Sequence, residues 1–198
     1  MPGGRPRSYD PDVALEAAMR TFWAQGYEGT SVSDLTTAMG MTAPSVYAAF
    51  GDKETLFRKA VERYLAGHGG YLKPALEEPT ASRLMHTLLR SAIDVVSGDH
   101  TPHGCLTVQG ALAVNPRSLA TREFLNTIRV SGVEPLTERL RTFQQNGDLP
   151  PDSDPSALAR LLLTVIHGLA VQAASGVPRE MLEVVADEVV ACWLRSKT

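Results

Sequence analysis

The chain has 198 residues, 43% of them hydrophobic and 21% charged, with a formal net charge of −3. These are ordinary values for a globular protein with a packed core; they exclude wholesale disorder, and they argue against nucleic-acid binding driven by bulk positive charge. Two cysteines, Cys105 and Cys192, are too few for a disulfide framework and fit a reduced cytoplasmic protein, and the start MPGGRPRSYD lacks the apolar core of a signal peptide.

The pattern along the chain is helical, so the expected fold class is all-α. Asp10-Pro11 reads as an N-cap followed by proline at the first helical position, where its missing N–H costs nothing. Ala14, Ala18 and Phe22 mark one face of this first helix, and Gly26 ends it. A second, short helix starts in TSVSDL, with Ser31 and Asp34 as a capping box and Val32, Leu35 and Met39 facing inward. Gly40 breaks it. Thr42 is placed to cap a third helix, Pro44 sits in its first turn, and Val46 and Phe50 face the core. After Gly51, Asp52 caps a fourth helix, KETLFRKAVERYL. Two short helices across a glycine turn form a helix-turn-helix, whose second helix is sized for a DNA major groove.

GHGGYLKP, Gly67–Pro74, reads as a weak point and a domain boundary. Further helices are expected at about Thr80–Ser97, from Cys105, and from Arg117 to Asn146 with a kink at Pro135. Asp154-Pro155 starts another helix, ending at Gly176. Its apolar run Leu158–Ala174, interrupted by Arg160, His167 and Gln172, reads as a buried soluble helix and not a membrane span. Pro178 opens the last helix, with Met181, Val185, Val189 and Cys192 on one stripe and Leu182 and Trp193 beside it.

Charge placement matters more than total charge. Up to Ala66 there are seven Lys or Arg against eight Asp or Glu, and none of the seven lies between Ser31 and Asp52. Bidentate Arg–guanine readout is therefore unavailable from the third helix; Ser45 is left to hydrogen-bond a base and Ala43 to pack on a thymine methyl.

The stretch FWAQGYEGTSVSDLTTAMGMTAPSVYAAFGDKETLFRKAVERY, Phe22 to Tyr64, resembles the tetracycline-repressor (TetR) family of bacterial transcription regulators, as does the GRPR arm before it. A GCL turn and a penultimate helix containing Gly-Leu extend the likeness more loosely. The resemblance implies an N-terminal three-helix DNA-binding domain (1–52), a connecting helix (53–76) and a helical ligand-binding and dimerisation domain (77–198). It implies a homodimer on a palindromic double-stranded DNA operator, released by a small-molecule effector, with no membrane partner. Carried over, Tyr47 and Lys53 fall on phosphate-contacting positions, as do Thr30 and Thr42 through hydroxyl or backbone N–H. Ala43, Ser45 and Val46 fall on the recognition surface. Arg5 and Arg7 are either a tail or a minor-groove arm. Leu158, Leu162, Val165, Leu169, Val185, Val189 and Trp193 are the expected dimer face. His86, Leu89, Gln109, Leu112, Phe124, Ile128 and His167 are the expected ligand pocket.

Competing readings remain open at this level. Asp99, His100, His103 and Cys105 are metal-capable types in one loop, but their spacing matches no defined zinc pattern, so no metal or cofactor is assigned. The chain contains no Gly-x-Ser-x-Gly, P-loop or His-Glu-x-x-His, so no catalytic residues and no enzyme are expected. The alternative function is a helical small-molecule- or metal-binding protein whose head no longer recognises specific DNA.

Overall fold

The computed structural model describes residues 9–112 and 118–195, apart from the side chains of 110–112 and 194–195. Among the described residues there are eleven α-helices and no strand. The first four are α1 (Pro11–Gly29), α2 (Val32–Met39), α3 (Ala43–Phe50) and α4 (Lys53–Ala66). Their starts follow the local signals. The Asp10 carboxylate accepts from Asp12 N, Ser31 and Asp34 complete a capping box, and Asp52 accepts from Thr55 N. Gly26 leaves helical geometry inside α1, with φ 72 and ψ 171, and the chain then resumes a short helical stretch to Gly29. Gly40 closes α2 in the left-handed conformation, which glycine adopts without steric cost.

An aromatic cluster binds α1 to α4. Phe22 meets Phe57 edge-on at 5.0 Å, Trp23 meets Tyr64 edge-on at 4.8 Å, and Tyr27 lies 4.9 Å from Phe57. Phe22, Trp23 and Phe57 are fully buried, so this cluster fixes where α2 and α3 stand. An ion pair reinforces it from outside: Arg63 on α4 meets Glu16 on α1 at 2.8 Å. Burial pushes the Glu16 carboxyl up, but Arg63 and Arg20 together hold it below the usual carboxylate range.

The remaining helices are α5 (Leu72–Leu76), α6 (Ala81–Val96), α7 (Leu106–Leu112), α8 (Leu119–Ser131), α9 (Val133–Gln145), α10 (Pro155–Ala174) and α11 (Arg179–Arg195). Here α10 packs against α9, α6 and α11, while α11 lies on α6. Arg179 of α11 pairs with Asp94 of α6, and Arg90 of α6 reaches Asp187 at 2.6 Å. Two expectations need correction. The single long helix expected with a kink at Pro135 is in fact two helices, separated at Gly132 on the N-terminal side of the proline; Pro135 itself stands in the first turn of α9, where its missing N–H is tolerated. GHGGYLKP is not only a break, because Leu72–Leu76 winds into α5.

The expected burial of the apolar run in α10 also needs revision. By length and composition α10 could cross a membrane, the one such helix among the described residues, yet only a third of that window is buried. Its other faces carry exposed apolar side chains, considered below.

Candidate DNA-binding head, dimer face and ligand cavity

Helix α3 presents Pro44, Ser45, Tyr47 and Ala48 to solvent, with Ala43 half-buried. Tyr47 is 49% exposed. The Thr42 hydroxyl lies 2.9 Å from that of Ser45 and makes no backbone cap, contrary to the expected capping role. The pair places two hydroxyls side by side at the first turn of α3. Val46 is turned inward and only 3% exposed, so the packing that seats α3 removes it from any base-reading surface. Thr30 is likewise buried, and its hydroxyl donates to the Gly26 carbonyl at 2.7 Å, which withdraws that hydroxyl from a phosphate.

Lys53 opens α4, with its ammonium 4.4 Å from the centre of the Tyr27 ring. Burial pulls the Lys53 pKa down and the Glu28 carboxylate opposes the shift. The ring contact limits the lysine's freedom, so less entropy would be lost on binding an anion there. Tyr27 was missed in the sequence reading because a side chain that orients another leaves no spacing signal. Arg5 and Arg7 lie outside the described residues.

The second feature is an apolar groove of about 530 Å³ between α10 and α11. Leu158, Leu162, Val165, Val185, Val189 and Trp193 line it, together with Leu161, Val184, Glu188 and Cys192. Leu161 is 51% and Val184 55% exposed. Leu162 is fully buried and forms the floor, while Leu169 belongs to the chain's own core and does not reach the groove. Leu161 and Val184 were not singled out from sequence because α10 is apolar on nearly every side, and periodicity then fails to say which side faces out.

The third feature is a cavity of about 340 Å³ bounded by α4, α5, α6, α8 and α10. Tyr64, Tyr71, Leu72, Leu88, Cys105, Thr107, Ile128, Arg129, Leu163 and His167 are among its lining residues. Of the expected pocket residues, Ile128 and His167 line it. His86 is exposed on the outer side of α6, and Leu89 is sealed in the core. Gln109 folds back to donate to the His103 carbonyl at 3.2 Å, and Phe124 lies under the Arg58 guanidinium at 4.4 Å. The Leu112 side chain lies outside those described. Burial and the nearby Arg129 charge lower the His167 pKa, which favours a neutral imidazole. Burial pushes the Tyr64 and Tyr71 phenols up, so both stay protonated donors.

The loop before α7 carries no metal arrangement. No group of three or more His, Cys, Asp or Glu suited to a metal occurs among the described residues. His100 and His103 are exposed, whereas Cys105 is buried, accepting a hydrogen bond from the Tyr64 hydroxyl at 3.4 Å. That loop instead joins head to body. Trp23 Nε1 donates to the Gly104 carbonyl at 2.9 Å, and Arg20 donates to the His100 carbonyl at 2.7 Å. Gly104 has φ +91, and a Cβ there would stand 2.6 Å from Gln109 Nε2, so the turn requires glycine.

The described residues combine an all-helical fold with an outward-facing helix-turn-helix, a separate apolar groove and a half-open cavity, which is the architecture of a helix-turn-helix DNA-binding protein. The comparisons say which kind. Residues 14–60 match the model of bacterial regulatory proteins of the tetR family. Over 192 residues the chain is 31% identical to the HTH-type transcriptional repressor ComR of Escherichia coli K12, covering 96% of this chain and 91% of that one. A solved structure of the TetR family regulator CifR, a cysteine mutant complexed with 26-bp double-strand operator DNA, is 43% identical over 96% of this chain and 100% of its own, with a TM-score of 0.91. A TetR regulator from Rhodococcus sp. RHA1 is 40% identical over 93% of this chain and 98% of its own, with a TM-score of 0.62. The chain belongs to the TetR family and is a DNA-binding transcriptional regulator.

Proposed function

We propose that the protein is a homodimeric repressor that leaves a palindromic operator when a small molecule fills the α4–α10 cavity. The observation that carries this reading is the connection between cavity and head. Tyr64 and Cys105 line the cavity, and the same two residues sit in the seam that ties α1 and α4 to the body. Arg58 of α4 extends that seam by stacking on Phe124 of α8. A ligand that displaces this wall moves α4, and with it α3. Ligand binding changes DNA affinity only insofar as it favours one spacing of the two heads.

In this reading residues 1–52 form the DNA-binding head, 53–76 the connector and 77–198 the effector and dimerisation body. Lys53, Tyr47 and Thr42 hold phosphates while Ser45 and Ala43 read bases. The α10–α11 groove receives a second copy of the chain, which sets two α3 helices into successive major grooves. The protein works in the cytoplasm, where the DNA is, and performs no catalysis.

The test is a binding titration of the full chain against DNA upstream of its own gene and against the same DNA scrambled. Specific affinity at least about a thousandfold tighter than non-specific affinity is expected for such a regulator. Equal affinities would favour a helical ligand-binding protein that has lost DNA recognition.

A further inference from the structure

The cavity is lined by a cation, Arg129, that the described residues leave without a counter-charge. The Arg129 guanidinium donates to the Thr107 carbonyl at 3.3 Å and to the side-chain oxygen of Asn126, both neutral acceptors. Among the described residues no carboxylate lies within ion-pair distance of it, whereas the comparably exposed Arg58, Arg63 and Arg90 each meet a Glu or Asp. Burial already works against its charge. A half-buried cation without an anion is costly to keep, and a guanidinium cannot escape the cost by losing its proton.

The surroundings narrow what would complete it. The Tyr71 hydroxyl has no hydrogen-bond partner among the described residues and lines the same cavity. Its apolar lining includes Leu72, Leu88, Ile128 and Leu163. One cation next to a neutral imidazole suits a single negative charge better than a dianion, and the planar fork of arginine matches a carboxylate through two parallel hydrogen bonds. At about 340 Å³ the space lies at the small end of ligand pockets.

We infer that the effector is a small organic monocarboxylate, its head on Arg129 and its apolar body against Leu72, Leu88, Ile128 and Leu163. This rests on the reading of the cavity as the effector site. The experiment is calorimetric titration of the full chain with butyrate, isovalerate, hexanoate and benzoate, each beside its own carboxamide. At least one acid binds one per chain, and its amide binds at least about tenfold more weakly, the loss expected when a charge-assisted hydrogen bond becomes a neutral one. Arg129→Gln removes the advantage of the acid over the amide while unliganded operator binding stays intact, and Arg129→Lys restores part of it. Amides that match their acids, a full-strength acid response in Arg129→Gln, or no binding by any acid would each overturn the inference. If Arg129→Gln fails to fold, the acid–amide ratio of the unaltered protein decides alone. Acid binding that leaves the operator complex intact would support the ligand class and refute the effector role, so the two readings fail separately.

Discussion

Helices α3 and α10 are both almost free of charge, and the structure uses that absence in opposite ways. The eight residues of α3 include no charged side chain, and α10 carries only Arg160. On α3 the outward groups are small or hydroxylated: Pro44, Ser45, Ala48 and Tyr47. In the proposed reading, such a surface would let a DNA backbone come close and leave hydroxyls to make the polar contacts. On α10 the outward groups include Leu161, 51% exposed, which lines the groove together with Val184 of α11, 55% exposed. Exposed branched side chains of that size in one groove gain by burial against another protein surface. Lack of charge is therefore not one signal. Side-chain bulk decides whether a neutral helix suits a nucleic acid or a partner chain.

Breaking the α10 side of this contrast should have the largest effect. Leu161→Glu combined with Val184→Glu would place two carboxylates in the groove without altering the buried floor. Sedimentation velocity should show dimer affinity reduced at least about a hundredfold, about 2.7 kcal/mol, with operator affinity falling alongside. Unchanged dimerisation would remove the groove from the interface. Leu162→Glu should instead unfold the chain, because that side chain is fully buried.

On the α3 side the expected effects are smaller. Lys53→Ala and Tyr47→Phe should each weaken operator and random DNA alike by about three- to tenfold, since phosphate contacts position the protein without reading sequence. The slope of log affinity against log salt should drop by about 0.9 for each phosphate Lys53 neutralises. Ser45→Ala should change the preferred base pair and leave that slope unchanged. Anisotropy titrations across a set of operator variants separate the two outcomes, and a changed base preference in Lys53→Ala would mean the roles are misassigned.

The smallest effect concerns His167. Its folded-state pKa lies below the ordinary value of 6.5, first through burial and then through Arg129. The unfolded chain therefore takes up the proton more readily. The associated stability is complete above about pH 6.5 and is lost as pH falls through the depressed folded value. Thermal melts from pH 7.5 to 5 should show the unaltered chain losing a few degrees more than His167→Gln. Equal losses would mean that His167 is not held neutral.

Much of the head was legible because its determinants are local. Asp10-Pro11, the Ser31–Asp34 box, Gly40 and Asp52 act over three or four residues, and they end or start helices wherever they occur. The body was less legible. Pro135 signals a disruption but not its extent: the helix parts fully on the proline's N-terminal side, at Gly132, where a Cβ would lie 3.1 Å from Leu72 of another helix. His86 has the right chemistry for a pocket, but the face of α6 that buries Leu84, Leu88 and Leu89 turns it to solvent. Arg129 passed unnoticed, since an arginine in sequence reads as surface until its neighbours are known.

The amino-acid sequence by itself determined that the chain is helical, that it begins with a helix-turn-helix, and that the recognition helix is neutral. These follow from capping, glycine placement and composition, none of which depends on distant residues. Tertiary structure alone decided that Thr30 is buried, that Leu161 and not Leu169 faces the groove, and that Arg129 has no carboxylate partner among the described residues. Those outcomes depend on how helices far apart in the chain rotate to bury the most apolar surface, and a helix apolar on nearly all sides does not carry that rotation in its own pattern.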